Sequence, residues 1–302
     1  MDEKTAKYME KIHDANFDML CEVDRICRKY DIKYYLHGGT FLGAVRHKDF
    51  IPWDDDVDIG FVRAEYDRFL EVFEKEAPDR LKLLRPEDYP TFYDFMVKIA
   101  NTSVTYAATN FGADDFYDGR FLHPTMDLFV YDIKKSDFQL TKLKFLYALA
   151  LGHRPYVNYA HFKGAMKAVA FVLSSVGKLI PLSKIAAWYK KVQTEGGVLT
   201  MPQGMDKEDA GTAASGCSDT GHDKTEGELP TVFVSNEQMN PKYWGLTFFG
   251  PCILNGCDTG IIRGKEFPMP KLYDRWFSIT YGDYMSYPPE DKQWPQHVYE
   301  IE

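Results

Sequence analysis

Four aspartates within five positions are the residues of this sequence best suited to chemistry: Asp54, Asp55, Asp56 and Asp58. The segment 57–62 is rich in β-branched and aromatic residues, which predicts a strand. Side chains alternate along a strand, so Asp54, Asp56 and Asp58 are expected on one face. Like charges on one face repel unless a cation lies between them. Two such carboxylates suit Mg²⁺, which completes its shell with water and substrate phosphate oxygens.

A glycine pair precedes this acidic segment. Residues 33–37 predict a short strand, and Gly38 and Gly39 follow where a helix is expected to begin at Thr40. The first turn of a helix has backbone N–H groups without intrahelical partners, which makes it an anion site. A guanidinium suits phosphate oxygens, so Arg46 is expected to neutralise the same anion. The sequence therefore predicts a phosphate site beside a metal site.

The same aspartates also imitate a calcium-binding loop. Asp54, Asp56, Asp58 and Glu65 occupy positions 1, 3, 5 and 12 of such a loop. That loop needs glycine at position 6, where this chain has Ile59, and it needs an irregular backbone where the pattern predicts a strand. The phosphate and magnesium interpretation is therefore preferred.

The segment from Gly38 to Ile59 closely resembles the signature of the LicD family. That family includes bacterial phosphorylcholine transferases and is related to the fukutin-related ribitol-phosphate transferases. The resemblance implies an α+β fold, with a nucleotidyltransferase-like mixed sheet flanked by helices and, in this chain, a basic helical insertion. It also implies transfer of a phospho-alcohol, phosphocholine or similar, from a CDP-linked donor to a glycan or lipid-linked glycan acceptor, with Mg²⁺.

A further aspartate interrupts the apolar segment 124–132. An aspartate in an apolar strand is costly to ionise unless it is paired or bound to a metal. Asp127 resembles the third acidic strand residue of the nucleotidyltransferase-like fold, so the resemblance assigns it to the metal centre of Asp56 and Asp58. The alternative is a strand-end residue that bonds a neighbouring loop, and Asp132 fits that alternative better.

Lys98 has two interpretations. The alternation of residues 92–99 places Asp94 and Lys98 on one face of a strand, so that Lys98 either contacts a phosphate or pairs with Asp94. The resemblance continues through this segment and favours substrate contact.

The resemblance returns between residues 261 and 299. Tyr281 and Tyr284 are candidates for a pocket wall, although packing in the core is the more ordinary role of a tyrosine. His297 titrates near neutrality and is included among the expected substrate-binding residues.

The overall charge argues against one class of partner. Among 302 residues there are 36 Lys and Arg against 45 Asp and Glu, a net charge of −9. Nucleic-acid binding rests on phosphate neutralisation by clustered basic residues, so no nucleic acid is expected.

The five cysteines are odd in number and lack metal-site spacing, which indicates free thiols in a reducing compartment. The N-terminus lacks the features of a secretory signal, so the expected location is cytoplasmic.

Positive charge is concentrated in one segment. Residues 138–194 contain nine Lys and Arg and no Asp or Glu. The apolar run Ala168 to Gly177 is shorter than the ~20 residues that a membrane span needs. Basic residues beside apolar ones suit helices lying on an anionic membrane surface, here the inner face of the cell membrane. The alternatives are contact with a polyanionic acceptor glycan and packing against the acidic remainder of the chain.

The predicted organisation has four parts. A catalytic core spans 1–137, a basic apolar helical segment spans 138–200, a flexible loop spans 201–230, and 231–302 completes the catalytic domain.

The resemblance implies metal-assisted phosphoryl transfer. Asp56 and Asp58 would hold Mg²⁺ against the donor diphosphate, and Asp127 would complete the site and help deprotonate the acceptor hydroxyl. Two alternatives remain: a nucleotidyltransferase that uses a nucleoside triphosphate and releases pyrophosphate, and a non-catalytic, membrane-associated metal-binding module.

Overall fold

The computed structural model describes residues 3–108, 116–159, 164–201, 230–236, 247–249, 253, 257–271, 273–295 and 300–301. Its helices are α1 (Glu3–Lys29), α2 (Gly38–Arg46), α3 (Arg63–Glu76), α4 (Asp137–Ala150), α5 (Ala165–Gly177), α6 (Leu182–Gln193) and α7 (Tyr273–Tyr281). Its strands are β1 (Tyr35–Leu36), β2 (Val57–Val62), β3 (Leu81–Leu84), β4 (Val97–Asn101), β5 (Tyr106–Ala108), β6 (Thr125–Ile133), β7 (Thr231–Val234), β8 (Thr247–Phe249), β9 (Cys257–Ile262), β10 (Lys265–Pro270) and β11 (Glu300–Ile301).

Seven strands form one mixed sheet in the order β1-β2-β6-β4-β3, with β7 paired to β6 and β8 paired to β7. Strands β2 and β6 are parallel, and the other pairs in this sheet are antiparallel. Helices flank the sheet, so the predicted fold class, an α+β mixed sheet with a helical insertion, is confirmed.

The register of the central strands brings three charged residues together. Asp58 of β2 lies opposite Asp127 of β6, and Lys98 of β4 lies opposite the same Asp127. Residues that oppose each other in a ladder point to the same face of the sheet. Within β2, Asp58 is half-buried and the other five residues are buried, so this face is partly open at Asp58.

Helix α1 forms because apolar residues recur at spacings of three and four, as the sequence predicts. Its buried stripe, which includes Ile12, Met19, Val23 and Ile26, joins the main core against the sheet. The core continues through fully buried strand residues such as Ile59.

A second core attaches the helical segment to the sheet. Residues from α4 and α6, including Leu143, Ile185 and Tyr189, pack against Phe95 and against Phe233 of β7. The basic helices are therefore joined to the sheet by apolar contact.

One predicted strand is shorter than expected because local side-chain hydrogen bonds compete with the ladder. The Asp94 side chain accepts a hydrogen bond from the Met96 N–H at 2.9 Å, and β4 begins only at Val97 instead of near residue 92. The Asn101 side chain likewise accepts a hydrogen bond from the Ser103 N–H at 3.1 Å, and β5 begins after it, at Tyr106.

Several expectations fall on residues outside the described ranges. Almost all of the predicted loop 201–230 lies there, as do His297, Cys217 and Cys252. Cys21, Cys27 and Cys257, the cysteines of the described part, are unpaired. Strand β7 extends the sheet from β6, but the predicted division into four parts stays a prediction.

Among the described residues, no single helix has the length and apolarity needed to cross a membrane. Segments Ala165–Gly177 and Leu182–Gly196 reach that length only together, as a pair bent by 120° at the break between them.

Candidate active site

A cavity of about 790 Å³ opens where α2, β2 and β6 begin. Its wall contains most of the predicted site residues: Gly38, Gly39, Arg46, Asp56, Asp58, Lys98 and Asp127. The structure therefore brings together residues that are up to 89 positions apart between Gly38 and Asp127.

The two glycines make room for two carboxylates. Gly38 has a φ of +49°, a conformation that favours glycine, and a Cβ there would overlap the carboxylate of Asp58. A Cβ on Gly39 would overlap the carboxylate of Asp54. The sequence predicts a glycine turn before a helix that begins at Thr40. The helix instead begins at Gly38, so the glycines form its first turn.

The first turn of α2 already contacts an acidic side chain of this protein. The Gly39 N–H donates to Oδ2 of Asp58 at 3.1 Å. A carboxylate at a helix N-terminus is stabilised by the exposed N–H groups and the helix dipole. The anion preference predicted for this turn is thus met by Asp58, and binding of a phosphate there stays a prediction.

Thr40 lies behind the cavity wall. It is buried, and its Oγ1 accepts a hydrogen bond from the Asp58 N–H at 2.9 Å. The His37 N–H donates to the Asp58 carbonyl at 3.0 Å, so the backbone of Asp58 is held from both sides. Thr40 therefore positions the aspartate, and its expected contact with substrate stays a prediction.

The aspartates of the cavity disfavour one another's ionisation. Burial, followed by the nearby charge of Asp56, raises the pKa of Asp54 and of Asp58 well above the usual range. Asp127 raises the pKa of Asp58 further. A cation among these carboxylates would relieve the repulsion.

Lys98 forms an ion pair with Asp127. Its Nζ lies 2.7 Å from each of Oδ1 and Oδ2 of Asp127 and 3.5 Å from Oδ2 of Asp94. Burial by itself lowers the pKa of Lys98, but the two carboxylates outweigh it and raise that pKa. Lys98 is thus observed in an ion pair, and its closer partner is Asp127 and not the expected Asp94. Contact of Lys98 with a substrate stays a prediction.

The donor set suits magnesium only in part. Carboxylate oxygens are the ligands that Mg²⁺ prefers, and two protein carboxylates can be sufficient for it. Yet in the part of the chain that the structure describes, no three His, Cys, Asp or Glu side chains converge closely enough to hold a metal ion. Asp127 is turned to Lys98. Asp56 and Asp58 fit the ion by their chemistry, whereas the three-carboxylate centre that includes Asp127 stays a prediction.

Arg46 fastens the C-terminal segment to the cavity. Its Nη1 donates to the carbonyls of Tyr284 at 2.9 Å and Ser286 at 3.1 Å, and the guanidinium lies 5.2 Å from the ring centroid of Tyr287. Burial lowers the pKa of this arginine. The expected neutralisation of a diphosphate by Arg46 stays a prediction.

The site contains functional candidates that sequence reasoning did not select. Asp54 and Asp94 both line the cavity. For Asp54 a signal existed, because the alternation places it on the face of Asp56 and Asp58. His37 also lines the cavity and packs on Phe129 with a centroid distance of 4.0 Å, and only its position before the glycine pair indicated it.

The C-terminal tyrosines have both of the roles considered for them. Tyr281 and Tyr284 line the cavity and also pack against the main core, where the ring centroid of Tyr284 lies 5.1 Å from that of Phe277.

Asp132 forms a buried bidentate pair with Arg63, at 2.9 and 2.6 Å, and accepts a hydrogen bond from Ser235 at 2.6 Å. It thus binds neighbouring elements, as the sequence indicates.

The calcium-loop alternative is not realised. Residues 57–62 form a strand, and Glu65 lies in α3, where it accepts from the Lys33 N–H at 3.1 Å and from Arg68 at 2.8 Å. The twelfth ligand of such a loop is therefore engaged elsewhere.

Comparison with known proteins supports the resemblance. The lipopolysaccharide cholinephosphotransferase LicD of Haemophilus influenzae is 27% identical over 279 residues, which cover 91% of this chain and 90% of that protein. The ribitol 5-phosphate transferase FKRP of human and of mouse is 62% identical over 29 residues, which cover 10% of this chain and 6% of that protein.

The matched region includes the strands that carry the candidate site. Residues 31–147 match the family described as LicD/FKTN/FKRP, nucleotidyltransferase domain, and these residues contain both Asp58 and Asp127. Residues 31–147 of this chain are therefore similar to the nucleotidyltransferase domain of the LicD/FKTN/FKRP family.

Proposed function

We propose that this protein is a phosphotransferase that moves a phospho-alcohol, such as phosphocholine, from a CDP-linked donor to a glycan or lipid-linked glycan. The observation that carries the proposal is the strand register at the cavity, where Asp58, Asp127 and Lys98 lie on three adjacent strands beside the glycine turn of α2. A relative that aligns over nine tenths of the chain is named a cholinephosphotransferase, which supports the same activity.

Mg²⁺ is the proposed cofactor, with Asp56 and Asp58 as its protein ligands. When bound, it would neutralise charge on the donor diphosphate and polarise the phosphorus for attack. Burial and the charge of Asp56 raise the pKa of Asp58. A cation between the two carboxylates would favour their ionised form, which supports the proposed site.

The residues of this chain supply orientation and proton transfer. In the proposed reaction the acceptor hydroxyl oxygen attacks the phosphorus that bears the alcohol, the bond from this phosphorus to the oxygen of CMP breaks, and CMP leaves. We assign the hydroxyl proton to Asp127, which Lys98 holds at 2.7 Å in one orientation. The positive charge of Lys98 lies at the same wall and would favour the negatively charged phosphoryl group.

The test measures products from three donors. The full chain is incubated with CDP-choline, CDP-ribitol or CTP and with lipopolysaccharide as acceptor, in the presence of Mg²⁺ or of a chelator. We expect CMP from a CDP-alcohol, transfer of the labelled alcohol to the acceptor, and loss of both with the chelator. Pyrophosphate from CTP would instead support the nucleotidyltransferase alternative. Tight Ca²⁺ binding without CMP release from any donor would support the non-catalytic module.

Replacement of single carboxylates tests the site. We expect Asp56→Asn and Asp58→Asn each to reduce transfer by about 10³-fold or more. Neither variant should unfold, because removal of one of several clustered carboxylates relieves repulsion. Asp79→Asn, an exposed residue outside the cavity, is the control and should leave the rate unchanged. A folded Asp58→Asn variant with full activity would refute the assignment.

A further inference from the structure

Most of the large apolar side chains of helix α5 (Ala165–Gly177) point outward, and Leu173 is half-buried against the core of α4 and α6. Its buried residues are Ala170, Ser174 and Gly177, which are small and follow at spacings of four and three. Gly177 allows close contact with the end of α4, because a Cβ there would overlap the Leu149 carbonyl. Apart from Leu173, the larger apolar residues of this helix are therefore left in water.

The outward face of α5 is continuous. Met166, Val169, Val172 and Val176 follow at spacings of three and four and form one stripe. The exposed large apolar residues of α5 and of the turn after it are Met166, Val169, Phe171, Val172, Val176 and Leu179. Leu179 is 84% exposed. Contiguous apolar patches of this kind mark interaction surfaces.

Helix α6 does not share this surface. Its Leu182, Ile185, Tyr189 and Val192 are buried in the core that it forms with α4 and the sheet. The bent pair of α5 and α6 therefore does not enter a membrane as a unit without breaking that core. The available surface is α5 and the turn at Leu179.

The charge around α5 indicates the chemistry of its partner. Lys167 and Lys178 lie at the two ends of the helix, both are exposed, and neither forms an ion pair with a described residue. Two lysines of the neighbouring helices are used internally, since Lys142 pairs with Glu195 at 2.7 Å and Lys190 with Asp67 at 3.1 Å. Packing against the protein's own acidic surface thus accounts for some lysines of α4 and α6 and leaves those of α5.

We propose that the outward face of α5, from Met166 to Leu179, lies in the interface of an anionic lipid membrane. Its apolar stripe would enter the boundary between headgroups and acyl chains, and Lys167 and Lys178 would contact the lipid phosphates. The absence of any acidic residue between Phe138 and Thr194 favours this surface over a neutral one. The inference goes beyond the transferase activity and does not depend on it.

Vesicle sedimentation of the full chain tests this surface. We expect the protein to bind vesicles of phosphatidylcholine and phosphatidylglycerol, to bind phosphatidylcholine alone more weakly, and to lose affinity as salt is raised. Val172→Glu should weaken binding by about tenfold, because it places a charge in the apolar stripe. Lys167→Glu with Lys178→Glu should weaken binding to the anionic vesicles by at least about fivefold per lysine.

Matched controls separate this face from general surface effects. Val198 is 56% exposed, against 55% for Val172, and lies beside the start of α3, where the Leu199 carbonyl accepts from the Ala64 N–H at 3.1 Å. Val198→Glu should leave vesicle binding unchanged, as should Lys82→Glu on the exposed side of β3. Thermal unfolding of each variant verifies that it is folded.

Two results would overturn the inference. One is the failure of the unmodified protein to bind anionic vesicles. The other is an equal loss of binding in Val172→Glu and Val198→Glu. If sedimentation velocity shows a dimer that Val172→Glu dissociates, while vesicles bind no protein, then α5 is a contact between two copies and the membrane inference is wrong.

Discussion

At the scale of single residues, the candidate site depends on side chains that are missing as much as on those present. Gly38 and Gly39 have no Cβ, and the carboxylates of Asp58 and Asp54 occupy the space that a Cβ would need. The helix N-terminus then stabilises the carboxylate that contacts it, at 3.1 Å from the Gly39 nitrogen. Each glycine is thus matched to the aspartate whose carboxylate lies against it.

This match predicts the effect of Gly39→Ala. We expect the substitution to lower the free energy of unfolding by about 1–3 kcal/mol through overlap with Asp54, although alanine is the better helix former. The loss should be smaller in an Asp54→Ser background, which removes the overlapping oxygen. Urea denaturation of the four proteins of this cycle measures the coupling. An equal loss in both backgrounds would place the overlap elsewhere.

A buried histidine makes the stability of the protein depend on pH. Burial lowers the pKa of His37 from 6.5 to about 3, and its Nδ1 lies 2.8 Å from the Tyr131 hydroxyl. Between these two pKa values the unfolded chain binds a proton that the folded chain does not. Neutral His37 therefore makes its full contribution to the free energy of unfolding above pH 6.5. Below that pH the contribution is lost by about 1.4 kcal/mol per pH unit.

His37→Gln tests this linkage because glutamine does not titrate. As the pH falls from about 7.5 to about 5, we expect the free energy of unfolding of the original protein to decrease relative to that of the variant. Urea denaturation at several pH values measures it. A difference that stays constant over that range would show that His37 does not titrate as proposed.

At the scale of elements, buried polar contacts determine how helices meet the sheet. Arg63, the first residue of α3, pairs with Asp132 near the end of β6, and both side chains are almost fully buried. Ser235, just after β7, donates to the same carboxylate. One aspartate thus links a helix and two strands.

Asp132→Ala should therefore be strongly destabilising. It leaves Arg63 buried without its bidentate partner, and such a loss costs about 3–5 kcal/mol of unfolding free energy. Lys7→Ala is the control, since it breaks the exposed pair of Lys7 with Glu3 and should cost less than about 0.5 kcal/mol. Thermal and urea denaturation compare the two variants. Similar small losses in both would mean that the buried pair does not stabilise the fold.

At the scale of the whole molecule, charge and packing follow different divisions. Residues 138–194 carry nine positive charges, so the rest of the chain carries −9 − 9 = −18. Packing does not follow this boundary, because α4 and α6 share a core with Phe95 and with Phe233 of β7. The basic helical segment is therefore expected to unfold together with the sheet.

Ile185→Ala tests that cooperativity. Ile185 is fully buried between α6 and its neighbours, and its truncation should cost about 2–5 kcal/mol and shift a single unfolding transition. Ile279→Ala, at a helix position that is 59% exposed, should change stability by only about 0.5 kcal/mol. Calorimetry measures both. A second transition that Ile185→Ala shifts alone would show that the helical segment unfolds separately.

The sequence by itself determined the local elements and the residues whose side chains could take part in a reaction. Strand β2 has the predicted bounds, because a run of β-branched and aromatic residues depends on near neighbours. The resemblance further indicated that Asp127, far along the chain, belongs with Asp56 and Asp58, and the cavity contains all three.

Only the tertiary structure decided which of these residues contact one another. The register of β4 against β6 places Lys98 opposite Asp127. The fold also brings the carbonyls of Tyr284 and Ser286 within hydrogen-bond distance of Arg46. It also turned the large residues of α5 outward. These contacts join residues that are distant in sequence, and strand register and helix docking arise from the packing of the whole core, which no local pattern encodes.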